Sequence, residues 1–590
     1  MKYKSIVESL INWRLKHINN RQFIIILSII IGLLAGFSAV VIKNAVHFIK
    51  ELLTLGFSGE YEKFMYLIYP IVGITIVMLF IKYVIRRRVG HGIPGVLYAI
   101  SEDNGKIRKH NMFSSIISSA LTVGFGGSVG LEGPTVATGA AIGSNLGSAL
   151  RLNYKQITLL LGCACAGALA AIFKAPIAAV VFAIEVIMLD LTMASIVPLL
   201  LASVSAVLTS YFFMGRGVLY HFELVDKYQM SDLPYFIALG IISGFVSVYF
   251  TRIYMLITNF FEKIKSWVNR LLIGGISLGI LIFFMPSLYG EGYEAINSCL
   301  EGKLCYLFND SVFYDFNDNA IVALILLFAI VLFKVIATSI TFGSGGVGGI
   351  FAPALFIGAN TGLLFATVLN YFKLNVSTSN FALVGMAGTL AGILHAPLTA
   401  IFLIAEITGG YDLFLPLMIT ATISYVTIRI FETNSVYTIQ LAKRDQLITH
   451  HKDKALLKLM KVDKLIETNF KTIHPDATLG DLVKIVSESP RNLFPVIDEN
   501  NKFFGIVIMD DIRKVMFKPE LYDKTYVSSL MFVPQVFINP YESMEDVARK
   551  FKNTGNFNLP VIKDGKYMGF VSRANVFSSY RELLKDFSEE

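Results

Sequence analysis

One passage of this chain is written twice. Gly126-Gly127-Ser128-Val129-Gly130-Leu131-Glu132-Gly133-Pro134 recurs 219 residues later as Gly345-Gly346-Val347-Gly348-Gly349-Ile350-Phe351-Ala352-Pro353. Gly139 and Gly143 continue the match to Gly358 and Gly362. A second pair, Gly167 to Pro176 and Gly388 to Pro397, lies 221 residues apart, and Glu185 has its counterpart in Glu406. Apolar stretches interrupted by glycine and proline cannot cross a bilayer as plain straight helices. Their loosened backbone is tolerated only where protein or a water-filled cavity surrounds it. Two similar halves, each with such a break, are how transport proteins place an ion site near the bilayer midplane.

Composition agrees with a bilayer as solvent. Of 590 residues 54% are hydrophobic and 16% charged, with mean hydropathy +0.62. A soluble domain carries about 25% charged residues. The first apolar run, Phe23 to about Ile42, is too long and too late for a secretory signal. Lys2, Lys4, Arg14, Lys16 and Arg21 precede it and place the N-terminus in the cytoplasm. Arg86-Arg87-Arg88 after a span fits the same bias, which accounts for the net charge of +8. No basic stripe lies on a polar domain, so nucleic acid is not a partner.

Four segments follow in order. Residues 1–21 read as a polar, helical leader. Residues 22–445 form an all-α polytopic membrane domain, with repeat halves of about 22–215 and 235–440. Thr122 to Ile142 and Thr341 to Ala366 are its clearest broken, re-entrant helices. Residues 446–590 are ordinary polar sequence with a weaker repeat of their own, about 455–518 and 525–585. Each copy there reads as a helix, a two-stranded hairpin and a closing helix.

The glycine breaks suit an anion. Helix N-termini offer unpaired N–H groups and partial positive charge. Glycine lets the backbone approach the ion, and proline fits the first helical turn at no cost. Three segments answer this description: Gly90-His91-Gly92-Ile93-Pro94, Gly130 to Pro134, and Gly349 to Pro353. Glu132 is an ionisable residue inside the second, expensive there unless it works. Its carboxylate competes with an anion for the same N–H groups. Once protonated it leaves, which ties anion passage to pH or to proton movement.

These three segments resemble the signature motifs of the CLC chloride channel and proton/chloride antiporter family, and the tail resembles its paired CBS domains. The resemblance spans nearly the whole chain after the leader. It implies a chloride pathway lined by His91, Gly92, Ile93, Gly133, Ile350, Phe351 and Tyr437, with Glu132 as external gate. His91 stands where the family usually has serine, and either donates an N–H to chloride or turns away. Leu131 replaces a usual basic residue. Tyr437, in Ser435-Val436-Tyr437-Thr438-Ile439, matches the tyrosine that coordinates chloride from the cytoplasmic side. The proton-transfer position after Glu185 is Val186, which carries no proton. That favours a passive, glutamate-gated chloride channel, with proton-coupled exchange as the alternative. Fluoride-exporting members usually have Met or Asn at the place of His91, so nothing favours fluoride. Glu185 and Glu406 read as hydrogen-bonded structural carboxylates at helix ends.

The resemblance also implies a homodimer with one pore per subunit, in a plasma membrane, with both termini cytoplasmic. Its CBS pair implies a regulatory adenine nucleotide such as ATP, or dimerisation alone. Ser572-Arg573-Ala574-Asn575 keeps the hydroxyl of the usual nucleotide signature but replaces its Asp. Asp511 keeps the acid in the first copy and loses the hydroxyl. Arg573 either pairs with phosphate or faces solvent.

Rival classes lack their marks. There is no Gly-rich Lys-Ser/Thr phosphate loop and no nucleophile–base arrangement, so the chain does not read as an enzyme. Cys163, Cys165, Cys299 and Cys305 have no metal-site spacing. The first two read as packing residues, while a Cys299–Cys305 disulfide stays open.

Overall fold

The computed structural model describes residues 16–54, 62–87, 89, 92–187, 193–215, 217, 229–309, 311–317, 319–408, 410–443, 457 and 460–588. The chain divides into two compact units, Met1–Leu447 and Ile448–Glu590. Most of the expected leader, residues 1–15, lies outside the described residues.

The first unit is helical. Its first half holds α1 (Asn20–Thr54), α2 (Glu62–Leu79), α3 (Ile93–Ser101), α4 (Asn111–Gly124), α5 (Glu132–Ala149), α6 (Tyr154–Phe173), α7 (Pro176–Glu185) and α8 (Met193–Met214). After α9 (Leu233–Lys263), α10 (Trp267–Phe284) and the short α11 (Tyr293–Leu300), the second half runs on. It has α12 (Ala320–Ser344), α13 (Phe351–Tyr371), α14 (Thr378–Leu394), α15 (Pro397–Ile407), α16 (Phe414–Phe431) and α17 (Ile439–Lys443). Among the described residues, nine helices are long and apolar enough to cross a membrane. Pro176–Glu185, Thr378–Leu394 and Pro397–Ile407 are shorter apolar helices. The chain is a multi-pass membrane protein.

The repeat is visible as matched local chemistry. Both broken segments divide at their glycines, α4 from α5 and α12 from α13. Helices α6 and α14 end on left-handed, non-glycine residues, Lys174 (φ 57°) and His395 (φ 56°). Each is followed by Ala-Pro, whose proline opens the next helix. Small residues let neighbouring backbones touch. A methyl group on Gly143 would sit 2.6 Å from the Leu160 carbonyl oxygen, and one on its counterpart Gly362 would collide with the Phe381 carbonyl.

Glu185 and Glu406 close a reciprocal clasp between the halves. Glu185, at the end of α7, accepts from the N–H groups of Leu398 (3.1 Å) and Thr399 (2.7 Å) and from the Thr399 hydroxyl (2.7 Å). Glu406, in the last turn of α15, accepts from the N–H groups of Ile177 (3.0 Å) and Ala178 (2.8 Å). Each carboxylate therefore caps the N-terminus of the helix from the other half, where negative charge is favoured.

The second unit repeats α-β-β-α twice: α18 (Leu479–Glu488), β1 (Leu493–Ile497), β2 (Phe503–Ile508) and α19 (Met509–Ile512), then, after the single turn α20 (Val527–Leu530), α21 (Met544–Thr554), β3 (Asn558–Lys563), β4 (Lys566–Ser572) and α22 (Arg573–Ser588). Each hairpin is antiparallel and bulged, and gains one parallel bridge from the preceding segment, Ile473 to Val496 and Ile538 to Val561. The copies are then laced together. Glu467, in the lead-in of the first copy before α18, pairs with Phe570 of the second hairpin, while Phe532, in the lead-in of the second before α21, pairs with Ile506 of the first.

Candidate anion site at three helix starts

The duplicated passages face each other. Gly130 N–H donates to the Gly349 carbonyl and Gly349 N–H to the Gly130 carbonyl, both at 2.8 Å. The exchange extends outward in matched pairs. Ser128 N–H donates to Thr341 Oγ1 (3.2 Å), and Val347 N–H donates to Thr122 Oγ1 (3.0 Å). Gly127 and Gly346 turn back onto the carbonyls of Thr122 and Thr341.

This pairing brings the starts of α5 and α13 into van der Waals contact. A methyl group on Gly349 would lie 2.8 Å from Gly133 N. The start of α3 joins them: Gly92, with φ 60°, is its N-cap, and a methyl there would lie 3.2 Å from the Gly133 carbonyl carbon. Pro94, Pro134 and Pro353 each sit in the opening turns of their helices. The three glycine segments thus converge on one place. The first N–H groups of each helix have no acceptor within it, so the place is electropositive. Gly90 and His91 lie outside the described residues. Ile93 and Ile350 are buried, and the Phe351 ring packs on Phe173 and Phe182 with centroids 5.2 and 6.4 Å away.

Glu132 opens α5 and is fully buried. Its Oε1 accepts from the Tyr293 hydroxyl at 2.5 Å, while Oε2 has no hydrogen-bond partner. The carboxylate faces the Ala352 N–H at the start of α13, and Lys43 of α1 and Glu291 lie within electrostatic reach. Tyr437 is 5% exposed, its hydroxyl has no hydrogen-bond partner, and it too lies within electrostatic reach of Glu132. Val186 is buried at the end of α7. Sequence reading missed Tyr293, Lys43, Glu291 and Lys334. Lys43 and Lys334 carried a signal, being lysines inside apolar helices. The Tyr289-Gly290-Glu291-Gly292-Tyr293 loop shares none of the repeated motifs.

Two of the four expected nucleotide residues, Ser572 and Asn575, already have engaged side chains. The Ser572 hydroxyl donates to Glu467 Oε1 (2.5 Å), the Asn575 N–H to Ser572 Oγ (3.1 Å), and Asn575 Nδ2 to the Leu465 carbonyl (3.3 Å). Glu467 also pairs with Arg491 at 2.9 Å. Arg573 N–H bonds the Phe557 carbonyl, and Asp511 is exposed on α19. The two cysteines left open as a pair are free thiols: Cys299 is buried with its Sγ 3.2 Å from the Tyr306 hydroxyl, and Cys305 is exposed. Cys163 and Cys165 are buried in α6. Among the described residues no group of three or more His, Cys, Asp or Glu side chains is placed to hold a metal.

Comparison with known proteins agrees with this architecture. The family described as voltage gated chloride channel matches residues 72–429, and the CBS domain matches residues 462–518 and 527–582. A ClcB-like protein of Ralstonia nicotianae is 30% identical over 387 residues, 64% of this chain and 85% of that protein. The H(+)/Cl(-) exchange transporter ClcA of Vibrio cholerae is 28% identical over 432 residues, 70% and 88% of the two chains. The crystal structure of a slow cyanobacterial Cl-/H+ antiporter, 22% identical, superposes with a TM-score of 0.61 over 74% of this chain and all of that one, which shows the shared fold. With the family match covering more than half its length, the chain belongs to the CLC family of voltage gated chloride channels and carries a C-terminal pair of CBS domains.

Proposed function

We propose that the protein exchanges chloride for protons across a membrane, with Glu132 as the shared element. The observation that carries this reading is the fully buried Glu132 carboxylate at the start of α5, one oxygen unpartnered, against the start of α13. Ionised, it competes with chloride for the N–H groups of those helix starts. Protonated, it loses its charge and gives way, so each anion passage is tied to a proton. Tyr437 supplies a buried hydroxyl donor for chloride. Gly92, Ile93, Gly133, Ile350 and Phe351 supply backbone, and His91 stands beside them in sequence.

The passive channel, preferred on the strength of Val186, becomes the second reading. A relative 28% identical over 432 residues is named an exchange transporter, which supports coupling. Val186 still favours the channel, because its buried side chain holds no proton. Coupling therefore requires the proton to reach the cytoplasmic side without that position. Liposomes loaded with chloride, with the voltage clamped, decide between the two. Uphill proton movement driven by the chloride gradient, lost in Glu132→Gln, is the expected result. Chloride efflux with no proton movement in the unaltered protein restores the channel.

The working unit in this reading is a homodimer with one pathway per subunit, in a plasma membrane with both termini cytoplasmic. The CBS pair regulates it, and ATP or another adenine nucleotide acts without being consumed. A ligand that takes the Ser572 hydroxyl must displace Glu467 from it. Calorimetric titration with ATP is therefore expected to show tighter binding in Glu467→Gln than in the unaltered chain. No binding in either leaves the tail a dimerisation module.

A further inference from the structure

We propose that Tyr293 is the positioning residue that holds the Glu132 gate in the anion path and sets the pH at which it releases. The proposal rests on Glu132 being the gate, and not on whether the gate couples to protons. The Tyr293 hydroxyl donates to Glu132 Oε1 at 2.5 Å, across 161 residues of sequence. An O–H directed at a carboxylate oxygen favours the ionised acid, and such charge-assisted bonds are short and strong.

The loop bearing Tyr293 is fastened on every side, so its hydroxyl cannot follow a departing carboxylate. The Tyr289 hydroxyl donates to the Gly124 carbonyl at 2.7 Å. The Ser128 hydroxyl donates to the Leu288 carbonyl at 2.6 Å. Lys334, fully buried in α12, donates to the Gly290 carbonyl (3.0 Å) and the Leu288 carbonyl (3.3 Å), with its ammonium 4.7 Å from the Phe356 ring centre. Gly292 has φ 85°, and a methyl group there would collide with the Phe356 ring. Tyr293 is then the first residue of α11. Release of Glu132 must break the phenol–carboxylate bond instead of carrying the loop along.

Among the described residues, the other charged and titratable groups facing Glu132 are Lys43 from α1, Glu291 from the loop, and Tyr437 ahead of α17. Lys334 and Lys50 face Glu291. Lys43 donates to the Ile172 carbonyl at 3.0 Å. Tyr293 is the group whose side chain is hydrogen-bonded to the gate carboxylate.

The test is chloride efflux from liposomes holding the full-length protein, measured against external pH. In Tyr293→Phe the half-maximal pH is expected to rise by about one unit or more, the scale of one charge-assisted hydrogen bond. Tyr289→Phe removes one tie of the same loop without touching Glu132, and because the ties from Ser128 and Lys334 still hold the loop, it is expected to leave the midpoint in place. Replacing Tyr293 by 3-fluorotyrosine, a stronger donor of the same shape, is expected to lower it. An unmoved midpoint in both Tyr293 variants overturns the proposal, as does an equal shift in Tyr289→Phe. Should Tyr293→Phe not fold, the fluorotyrosine chain alone decides. Absence of proton coupling in the unaltered protein removes exchange but leaves this test standing, while chloride efflux indifferent to pH removes the gate.

Discussion

A methyl group on Gly349 tests whether the helix starts form one rigid anion seat. Gly349 does not have a positive φ, so alanine is opposed there by contact alone. The new Cβ meets Gly133 N at 2.8 Å, whereas ordinary contact begins at 3.4 Å. The starts of α5 and α13 must therefore part by about 0.6 Å. Nothing nearby can rotate aside, because the obstacle is backbone and Gly349 is bonded twice to Gly130. Overpacking of this kind costs about 1–3 kcal/mol. Where the cost falls on the chloride-bound form, affinity drops by about fivefold to a hundredfold. Gly133→Ala presses on the same contact from the other side but meets only Gly349 Cα at 3.1 Å, so its effect is smaller. Gly217→Ala, with nothing within 4 Å, is the control. Calorimetric titration of chloride into each purified variant reads the order. Wild-type affinity in Gly349→Ala, or a larger loss in Gly133→Ala, would refute the reasoning.

Two further outcomes are expected. Glu185→Ala and Glu406→Ala each remove a carboxylate cap and cost about 1–2 kcal/mol, with Glu185 the larger because it also binds the Thr399 hydroxyl. The two ends of the clasp share no bond, so the thermal shift of the double variant in detergent should equal the sum of the singles. In the tail, Thr478 caps α18 and its hydroxyl bonds Asp481. Thr478→Ala should cost about 1 kcal/mol in denaturant unfolding followed by circular dichroism. Asp481 is held below its ordinary range chiefly by that hydroxyl. Its contribution is whole above the ordinary range and fades as pH falls through the lowered value, so Thr478→Ala should flatten the acid dependence of tail stability.

What could be read in advance was whatever repeats or sits at a helix start. The glycine breaks, the three glycine–proline helix starts and the twice-used α-β-β-α unit follow from local rules that hold wherever the chain goes. Partners brought in from afar were not legible. Tyr293 reaches Glu132 from a loop between the halves that has no counterpart in either repeated motif. Glu185 and Glu406 read as hydrogen-bonded carboxylates at helix ends, but their donors were not legible: each serves the other half, because an antiparallel pair puts one helix's end beside its partner's start. Ser572 retained a nucleotide-like hydroxyl in sequence, but which acceptor it meets depends on the lacing of Glu467 onto β4.

The reciprocal bond between Gly130 and Gly349 has a bearing on direction. Counting outward from it, Glu132 and Phe351 hold the same place in their two copies. A frame that nearly superposes on itself after a half-turn has no inherent front or back. The sense of the pathway then resides in the differences between the copies, and at this place the difference is an acid against a hydrocarbon ring. With Glu132 as the gate, as proposed above, one mouth answers to protons and the other does not, so a protein inserted the wrong way up would listen to the wrong compartment.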